Sequence, residues 1–196
     1  MLAGEADLIL PEMDSEGQGK HRLRPGQFVY YPAHFPHTLR AISPQPANYL
    51  IFQWLARSGT PDAQLAFGCF DALGPRDNSE PKYGLRLLFE GPTGCLRKLH
   101  AHATTLTAGI SHPPHKHGYE AAIVVLEGEV ETLGERVGPH GIIFYSSGRP
   151  HSIGNPGTQP ARYVVFEFFG ADDSFLRKVA DPQRWKRKLK AILRPS

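Results

Sequence analysis

Histidines are concentrated in one part of this chain. Five of its ten histidines lie between positions 112 and 151, four of them in the segments SHPPHKHGYE and GRPHSIGN. Side chains of a β-strand alternate between two faces, so His115 and His117 would point to one side and share an ion. His151, which follows a Gly148-Arg149-Pro150 turn, would add a third nitrogen ligand. Three protein ligands leave positions open for water or substrate, as in a catalytic rather than a structural metal site.

Short apolar segments surround these histidines and must position them. The segments are rich in Val, Ile, Tyr and Phe, and turn residues separate them, with 20 Gly and 18 Pro in the chain. They read FVYY, YLIF, LRLLF, AAIVVL, IIFY and YVVFEFF. Runs of this length and composition are typical of strands, and their close spacing indicates a sandwich or barrel. We therefore expect an all-β protein.

The chain also repeats itself. At a constant offset of 114, Pro36-His37 matches Pro150-His151 and NYLIFQW matches RYVVFEF. LAGEA resembles LEGEV at an offset of 124, which places ten extra residues in the first copy, within PEMDSEGQGK. The first copy has no counterpart of the HxH segment. We therefore interpret His37 as a packed or hydrogen-bonded group and this half as a scaffold.

Both histidine segments resemble motifs of the cupin superfamily. The first, G-x5-H-x-H-x3,4-E-x6-G, is matched through Gly109, His115, His117 and Gly128, and the second, G-x5-P-x-G-x2-H-x3-N, through Gly148, His151 and Asn155. The resemblance implies a double-stranded β-helix, or jelly roll, built here as a bicupin with an N-terminally incomplete first domain. It also implies a divalent transition metal, Mn, Fe, Zn or Ni, bound by the motif histidines.

One residue of the first motif is displaced. The family glutamate should follow His117 after three or four intervening residues, where this chain has Ala121 and Ala122, and Glu120 stands one residue early. In a regular strand Glu120 faces away from the ligands, and only a bulge or a turn at Gly118 would bring it to the ion. Two geometries stay open: Glu120 as a ligand or general base, and a site of three histidines alone.

Other polar residues lie close to the motifs. His100 and His102, in KLHAHATTL, share a strand face and form either a pair beside the site or a satisfied polar face. Tyr119, Tyr145 and Arg149 fall near the expected barrel mouth. They would orient an anionic or hydroxylated substrate, or serve only in packing and at the surface.

These patterns divide the chain into four parts. Residues 1–55 form a partial N-terminal cupin half-barrel, 56–83 a linker with one short helix, 84–170 the C-terminal cupin barrel and 171–196 a basic helical tail. The segment RWKRKLKAILR in that tail holds six basic residues, either a solvated helix face or a contact for an acidic partner or a membrane surface. The missing strand pair of the first copy would leave open sheet edges. We expect either a shortened chain start or completion by another subunit, as a homo-oligomer.

Composition excludes several classes of function. The net charge of +3 is too small to indicate nucleic-acid binding, and Cys69 and Cys95 stand alone, without metal-type spacing. The start MLAGEADLIL lacks a secretory pattern and no apolar run is long enough to span a bilayer, so we expect a cytoplasmic protein.

The function expected from these features is that of a metal-dependent cupin acting on a small polar metabolite, such as a sugar derivative or a carboxylate. Isomerase, decarboxylase, lyase and dioxygenase chemistry stay open. The alternative is a non-catalytic sugar- or metabolite-binding sensor module. The sequence leaves open whether the protein is an enzyme.

Overall fold

The computed structural model describes residues 1–10, 20–32, 35–53, 68–74, 83–93 and 96–170. Within these residues the chain forms β-strands and no helix, which confirms the all-β prediction. The strands are β1 Ala6–Ile9, β2 Lys20–Leu23, β3 Gln27–Tyr30, β4 Thr38–Ala41, β5 Gly68–Asp71, β6 Tyr83–Gly91, β7 Lys98–Leu106, β8 Glu120–Glu127, β9 Val130–Thr132, β10 Glu135–Val137, β11 Ile142–Tyr145 and β12 Ala161–Phe169. The predicted helical tail, 171–196, lies outside the described residues. No helix of the described part is long and apolar enough to cross a membrane.

A five-stranded antiparallel sheet, in the order β11-β8-β12-β7-β6, forms the centre of the molecule. The sequence of β8, EAAIVVLE, is almost continuously apolar because both faces of the strand are buried. Ala121, Ile123 and Val125 point to one face, the inward face. Val124 points to the other face, where it packs with residues of the N-terminal half.

The inward face of this sheet is closed by shorter elements. These elements form a second wall opposite the sheet. They are the β9–β10 hairpin and the isolated bridges Ser111–Gly154, His115–His151 and Glu131–Gly154. The space between the walls is filled by a core drawn from most of the C-terminal strands: Leu106, Ala121, Ile123, Val125, Val130, Ile143, Tyr145, Ile153, Ala161, Tyr163 and Val165. This arrangement is a jelly-roll barrel with the histidine motifs at one end.

The N-terminal half covers the outward face of the central sheet. Its strands form a β2-β1-β4 sheet and a β3–β5 pair. Phe28 of β3 contacts Phe70 of β5 and Phe166 of β12, at ring-centroid distances of 5.4 and 5.2 Å. β5 lies inside the segment predicted as a linker, most of which is outside the described residues. Its four residues, GCFD, are too few to show a strand period in the sequence, and the pairing with β3 makes them a strand.

The predicted repeat is supported by two equivalent glycines. Gly4 and Gly128 have φ values of +70° and +69°. A Cβ atom at Gly4 would lie 2.6 Å from the carbonyl oxygen of Pro46, and one at Gly128 would lie 2.7 Å from that of Pro160. Only glycine tolerates both the left-handed backbone and so close a contact. The two copies therefore share the same turn against the same Pro-Ala step.

Candidate metal centre

Three imidazoles converge at one end of the barrel. His115, His117 and His151 each offer a ligand atom, and these atoms lie within 4.8 Å of one another. All three atoms are then within about 2.8 Å (4.8/√3) of a common point. Metal–nitrogen bonds to histidine are about 2.0–2.1 Å long. Side-chain shifts of less than an ångström would therefore close the three nitrogens around an ion.

Backbone pairing holds two of these histidines side by side. His115 and His151 form an antiparallel bridge in which each backbone N–H donates to the other's carbonyl at 2.9 Å. His117 is fixed through its own carbonyl, which accepts a 2.7 Å hydrogen bond from the backbone N–H of Gly148. Arg149 N–H donates back to Ser146, and Gly148 in that turn has a φ of +79°. This is the position at which a type II turn requires glycine.

Two backbone carbonyls orient the rings of His115 and His151. His115 Nδ1 lies 2.9 Å from the carbonyl oxygen of Pro113, and His151 Nδ1 lies 2.9 Å from that of Arg149. A carbonyl only accepts, so each Nδ1 carries a proton, and in a neutral imidazole of this tautomer Nε2 presents a lone pair. Metal-binding histidines in proteins are commonly oriented in this way.

The surroundings of the third imidazole lower its pKa. Burial lowers the pKa of His117, and the neighbouring His115 and His151 lower that pKa further through charge repulsion. A neutral imidazole is the form that binds a metal ion. The ring of His117 also stacks on Tyr119, with the ring centroids 4.7 Å apart.

The buried Tyr145 packs against the ring of His151. The rings of Tyr145 and His151 are stacked at 3.7 Å, and the Tyr145 hydroxyl lies 2.6 Å from Thr132 Oγ1. Thr132 in turn donates to the carbonyl of Ser152. His151 itself is only 6% exposed, so its imidazole is held in place by packing.

Glu120 is not brought to the three imidazoles. It is exposed at the first position of β8 and pairs with Phe168, whereas Ala121 points into the barrel core. From Glu120 to Val125 the pairing of β8 with β12 has a regular register without a bulge. The strand period therefore places Glu120 outward, and the structure favours the three-histidine geometry over Glu120 as a ligand.

Sequence reasoning missed one acidic residue beside the site. Glu167 of β12 pairs with Ala121 and accepts a 3.1 Å hydrogen bond from the hydroxyl of Tyr119. Burial raises the pKa of Tyr119, and the nearby Glu167 raises it further, so the phenol stays protonated and donates. The signal was present in RYVVFEF, where a single glutamate shares the strand period of Tyr163 and Val165.

His100 and His102 form a second polar chain on the inward face of β7. His100 Nδ1 lies 2.6 Å from the exposed carboxylate of Glu90, and His100 Nε2 lies 2.9 Å from His102 Nδ1. Lys98 donates to the same carboxylate at 3.0 Å. Burial lowers the pKa of His102 to about 4, and the charge of His100 contributes to the shift. The two histidines share a face, as predicted, and are hydrogen-bonded to each other.

The remaining predicted residues occupy the edge of the site or the fold around it. The side chain of Arg149 is exposed, and only its backbone carbonyl supports His151. Asn155, the last residue of the second motif, is buried and structural: its side-chain nitrogen donates to the carbonyls of Leu106 and Gln159, and its oxygen accepts from Gly157.

Comparison with known proteins agrees with this geometry. Residues 102–167 match the family model described as a cupin domain, Cupin_2. The chain contains a cupin domain. The matched residues include all three histidines of the candidate site. No curated protein matches the sequence.

Several solved structures are similar to this cupin domain and its surroundings. The Cupin_2 domain of an XRE family transcriptional regulator from Enterobacter cloacae has 20% identity and a TM-score of 0.38, covering 44% of this chain and 96% of that one. KdgF from a Halomonas species has 19% identity and a TM-score of 0.39, covering 52% and 91%. The DMSP lyase DddQ from Ruegeria pomeroyi has 24% identity and a TM-score of 0.40, covering 51% and 52%.

Proposed function

We propose that this protein is a metal-dependent cupin that binds one divalent transition ion, Mn, Fe, Zn or Ni, and acts on a small polar metabolite. The observation that carries the proposal is the convergence of three histidine nitrogens within 4.8 Å of one another, two of them with their Nδ1 protons held by backbone carbonyls. Three neutral nitrogen ligands suit Zn, Fe and Ni and leave coordination positions open.

The chemistry of such a centre is that of a Lewis acid. A bound ion polarises a carbonyl or lowers the pKa of a water molecule, and iron would also support reactions of dioxygen. The protein's own residues set the rest of the site. His117 and Tyr119 form one wall, and the exposed Arg149 and Lys116 lie next to the ligands in the sequence. A hydroxylated or carboxylate-bearing metabolite, such as a sugar derivative, fits these donors.

Metal binding is tested directly by analysis of the purified protein and by Zn²⁺, Ni²⁺ and Mn²⁺ titration after chelator treatment. We expect one ion per chain, and loss of binding in His115→Ala and His151→Ala. His112→Ala is the matched control, because its ring lies 6.5 Å from that of His115 and His112 is not one of the three convergent residues. Wild-type protein that binds no ion, or His115→Ala protein that binds normally, would contradict the proposal.

The alternative function is a non-catalytic sugar- or metabolite-binding module. It is favoured by one observation: Ala121 fills the inward position expected for the family glutamate, and Glu120 faces outward. Thermal-shift screening of sugars and carboxylates, with and without metal, separates the two functions. Stabilisation by a metabolite in metal-free protein, unchanged in His115→Ala, would favour the binding module. Turnover that requires the ion would favour the enzyme.

A further inference from the structure

Residues 48–53, which we call the open segment, have the pattern of a strand without partners. Tyr49 and Ile51 are 47% and 57% exposed, and the two apolar residues that alternate with them pack on the outward face of the central sheet. This period of two is that of an extended strand. Among the described residues, however, the open segment is paired only through the Ala3–Asn48 bridge. An apolar row therefore lies exposed on an extended and largely unpaired backbone.

The internal repeat shows what covers the equivalent strand. At the offset of 114, the two exposed residues match Tyr163 and Val165 of β12. The bridge at the start of the open segment likewise matches the Glu127–Arg162 pair of β8 and β12. Tyr163 and Val165 are only 3% and 6% exposed, and β12 lies between β7 and β8. The residue types of the open segment thus suit a strand that has neighbouring strands beside it.

A complementary surface lies on β6. This strand is the last one of the central sheet, and its outer edge is unpaired within the described part of the chain. Leu85 and Leu87, two positions apart as in the apolar row of the open segment, are more than half exposed. Arg86 between them points to the other face, where its guanidinium donates to the carbonyl of Asp71 at 2.6 Å. A long edge strand with an exposed apolar row is the kind of surface that pairs with another chain.

We propose that a second copy of this chain covers the open segment, with β6 of one copy pairing along residues 48–53 of the other. An antiparallel pairing that sets Tyr49 opposite Leu87 sets Ile51 opposite Leu85, so that both apolar rows lie on one face. The unpaired backbone groups of the two edges would satisfy each other. Because each copy offers one open segment and one β6 edge, a two-fold axis forms the same contact twice.

Self-complementarity selects a second copy as the occupant. The chain carries both the apolar edge and the apolar segment that fits it, and a two-fold dimer covers both sets at once. The open segment, NYLIFQ, has no charged residue, and Arg86 is held on the opposite face of β6 by its own Asp71. The contact therefore brings no like charges together. It is also independent of the proposed metal centre, because none of these residues is among the three convergent histidines.

Light scattering coupled to size-exclusion chromatography, over a dilution series of the full chain, tests the dimer. We expect a dimer for wild type. Ile51→Lys and Leu85→Glu should each weaken dimerisation by at least about 100-fold, because an unpaired charge would be buried at both contacts. Both side chains are more than half exposed, so circular dichroism and thermal unfolding should show folded variants. The double variant, Ile51→Lys with Leu85→Glu, sets opposite charges across each contact and should dimerise more tightly than either single variant.

The matched control is Phe144→Lys. Phe144 is 59% exposed on β11, the strand at the other edge of the central sheet, and its replacement should leave the dimer intact. Dissociation of Phe144→Lys would place the interface at β11 and overturn the inference. A monomeric wild type would mean that another part of the chain or a different protein covers the open segment, and the inference would be wrong. A double variant no tighter than the single ones would show that positions 51 and 85 do not face each other.

Discussion

Acid should destabilise this protein through one buried histidine. His102 on β7 is 8% exposed, and burial, followed by repulsion from His100, lowers its pKa from 6.5 to about 4. Its neighbours in the chain of hydrogen bonds are His100 and the carboxylate of Glu90. In the unfolded chain His102 takes up a proton near its ordinary pKa, whereas in the folded protein it resists that proton until the pH is much lower.

The sign and size of the effect follow from linkage. Because the folded pKa is lower than the unfolded one, the unfolded state binds more protons between pH 6.5 and 4, and stability is lost as the pH falls through that window. The limiting loss is about 3 kcal/mol, of which about 2 kcal/mol is reached at pH 5. His112 and His117, whose pKa values are also lowered by burial, add losses of the same sign. Glu90, with a lowered carboxyl pKa, adds to the loss only at more acidic pH.

The contribution of His102 is isolated by a variant. Urea unfolding, followed by far-UV circular dichroism from pH 8 to pH 5 with chelator present, gives the free energy of unfolding at each pH. His102→Gln removes the titrating group, so its free energy should fall by about 2 kcal/mol less than that of wild type over this range. His140→Asn is the matched control, because His140 is exposed, has a φ of +68° and is replaced by a residue that tolerates that backbone. Parallel curves for wild type and His102→Gln would refute the reasoning.

Two further predictions concern the scaffold. Gly128→Ala should destabilise the protein by about 1–2 kcal/mol because of the left-handed backbone, and by a further 1–3 kcal/mol because the new methyl group clashes with Pro160. Gly134 has a similar φ, but a Cβ atom there would meet nothing within 4 Å, so Gly134→Ala should show only the first loss. If chemical denaturation showed equal losses of unfolding free energy for Gly128→Ala and Gly134→Ala, the predicted clash with Pro160 would be wrong. Asn155→Asp should destabilise by about 2–3 kcal/mol, because a carboxylate would face the carbonyls of Leu106 and Gln159 that the amide now donates to. A thermal midpoint equal to that of wild type would show that the bonds of Asn155 are not needed.

The sequence predicted which three histidines converge better than it predicted the backbone that carries them. Strand alternation placed His115 and His117 on one side, yet only His115 is paired, through its bridge with His151. The convergence instead depends on that bridge and on the turn at Gly148, which are contacts between distant segments. Glu167 was missed for the same reason. Its neighbour Ala121 is 46 positions away in the sequence, and only the pairing of β8 with β12 brings them together.

The two copies of the repeat show which part of the site is encoded locally. In the N-terminal copy, His37 Nδ1 bonds the carbonyl of Phe35 at 2.8 Å and its ring lies 3.9 Å from Tyr31. His151 makes the equivalent bond to Arg149, two residues before it, and the equivalent contact with Tyr145. A short segment ending in Pro-His is therefore enough to present an oriented imidazole.

A single presented imidazole does not make a metal site. His37 is exposed, and the one convergent group among the described residues is that of the C-terminal copy. The two matching strand segments also differ in their pairing. NYLIFQW resembles RYVVFEF, but among the described residues it forms only the Ala3–Asn48 bridge. The matching strand β12 is paired with β7 on one side and β8 on the other. Leu50 and Phe52 instead pack on the outward face of the central sheet. Local sequence thus sets the ligand's orientation, and the strands that pair with it decide whether a site forms.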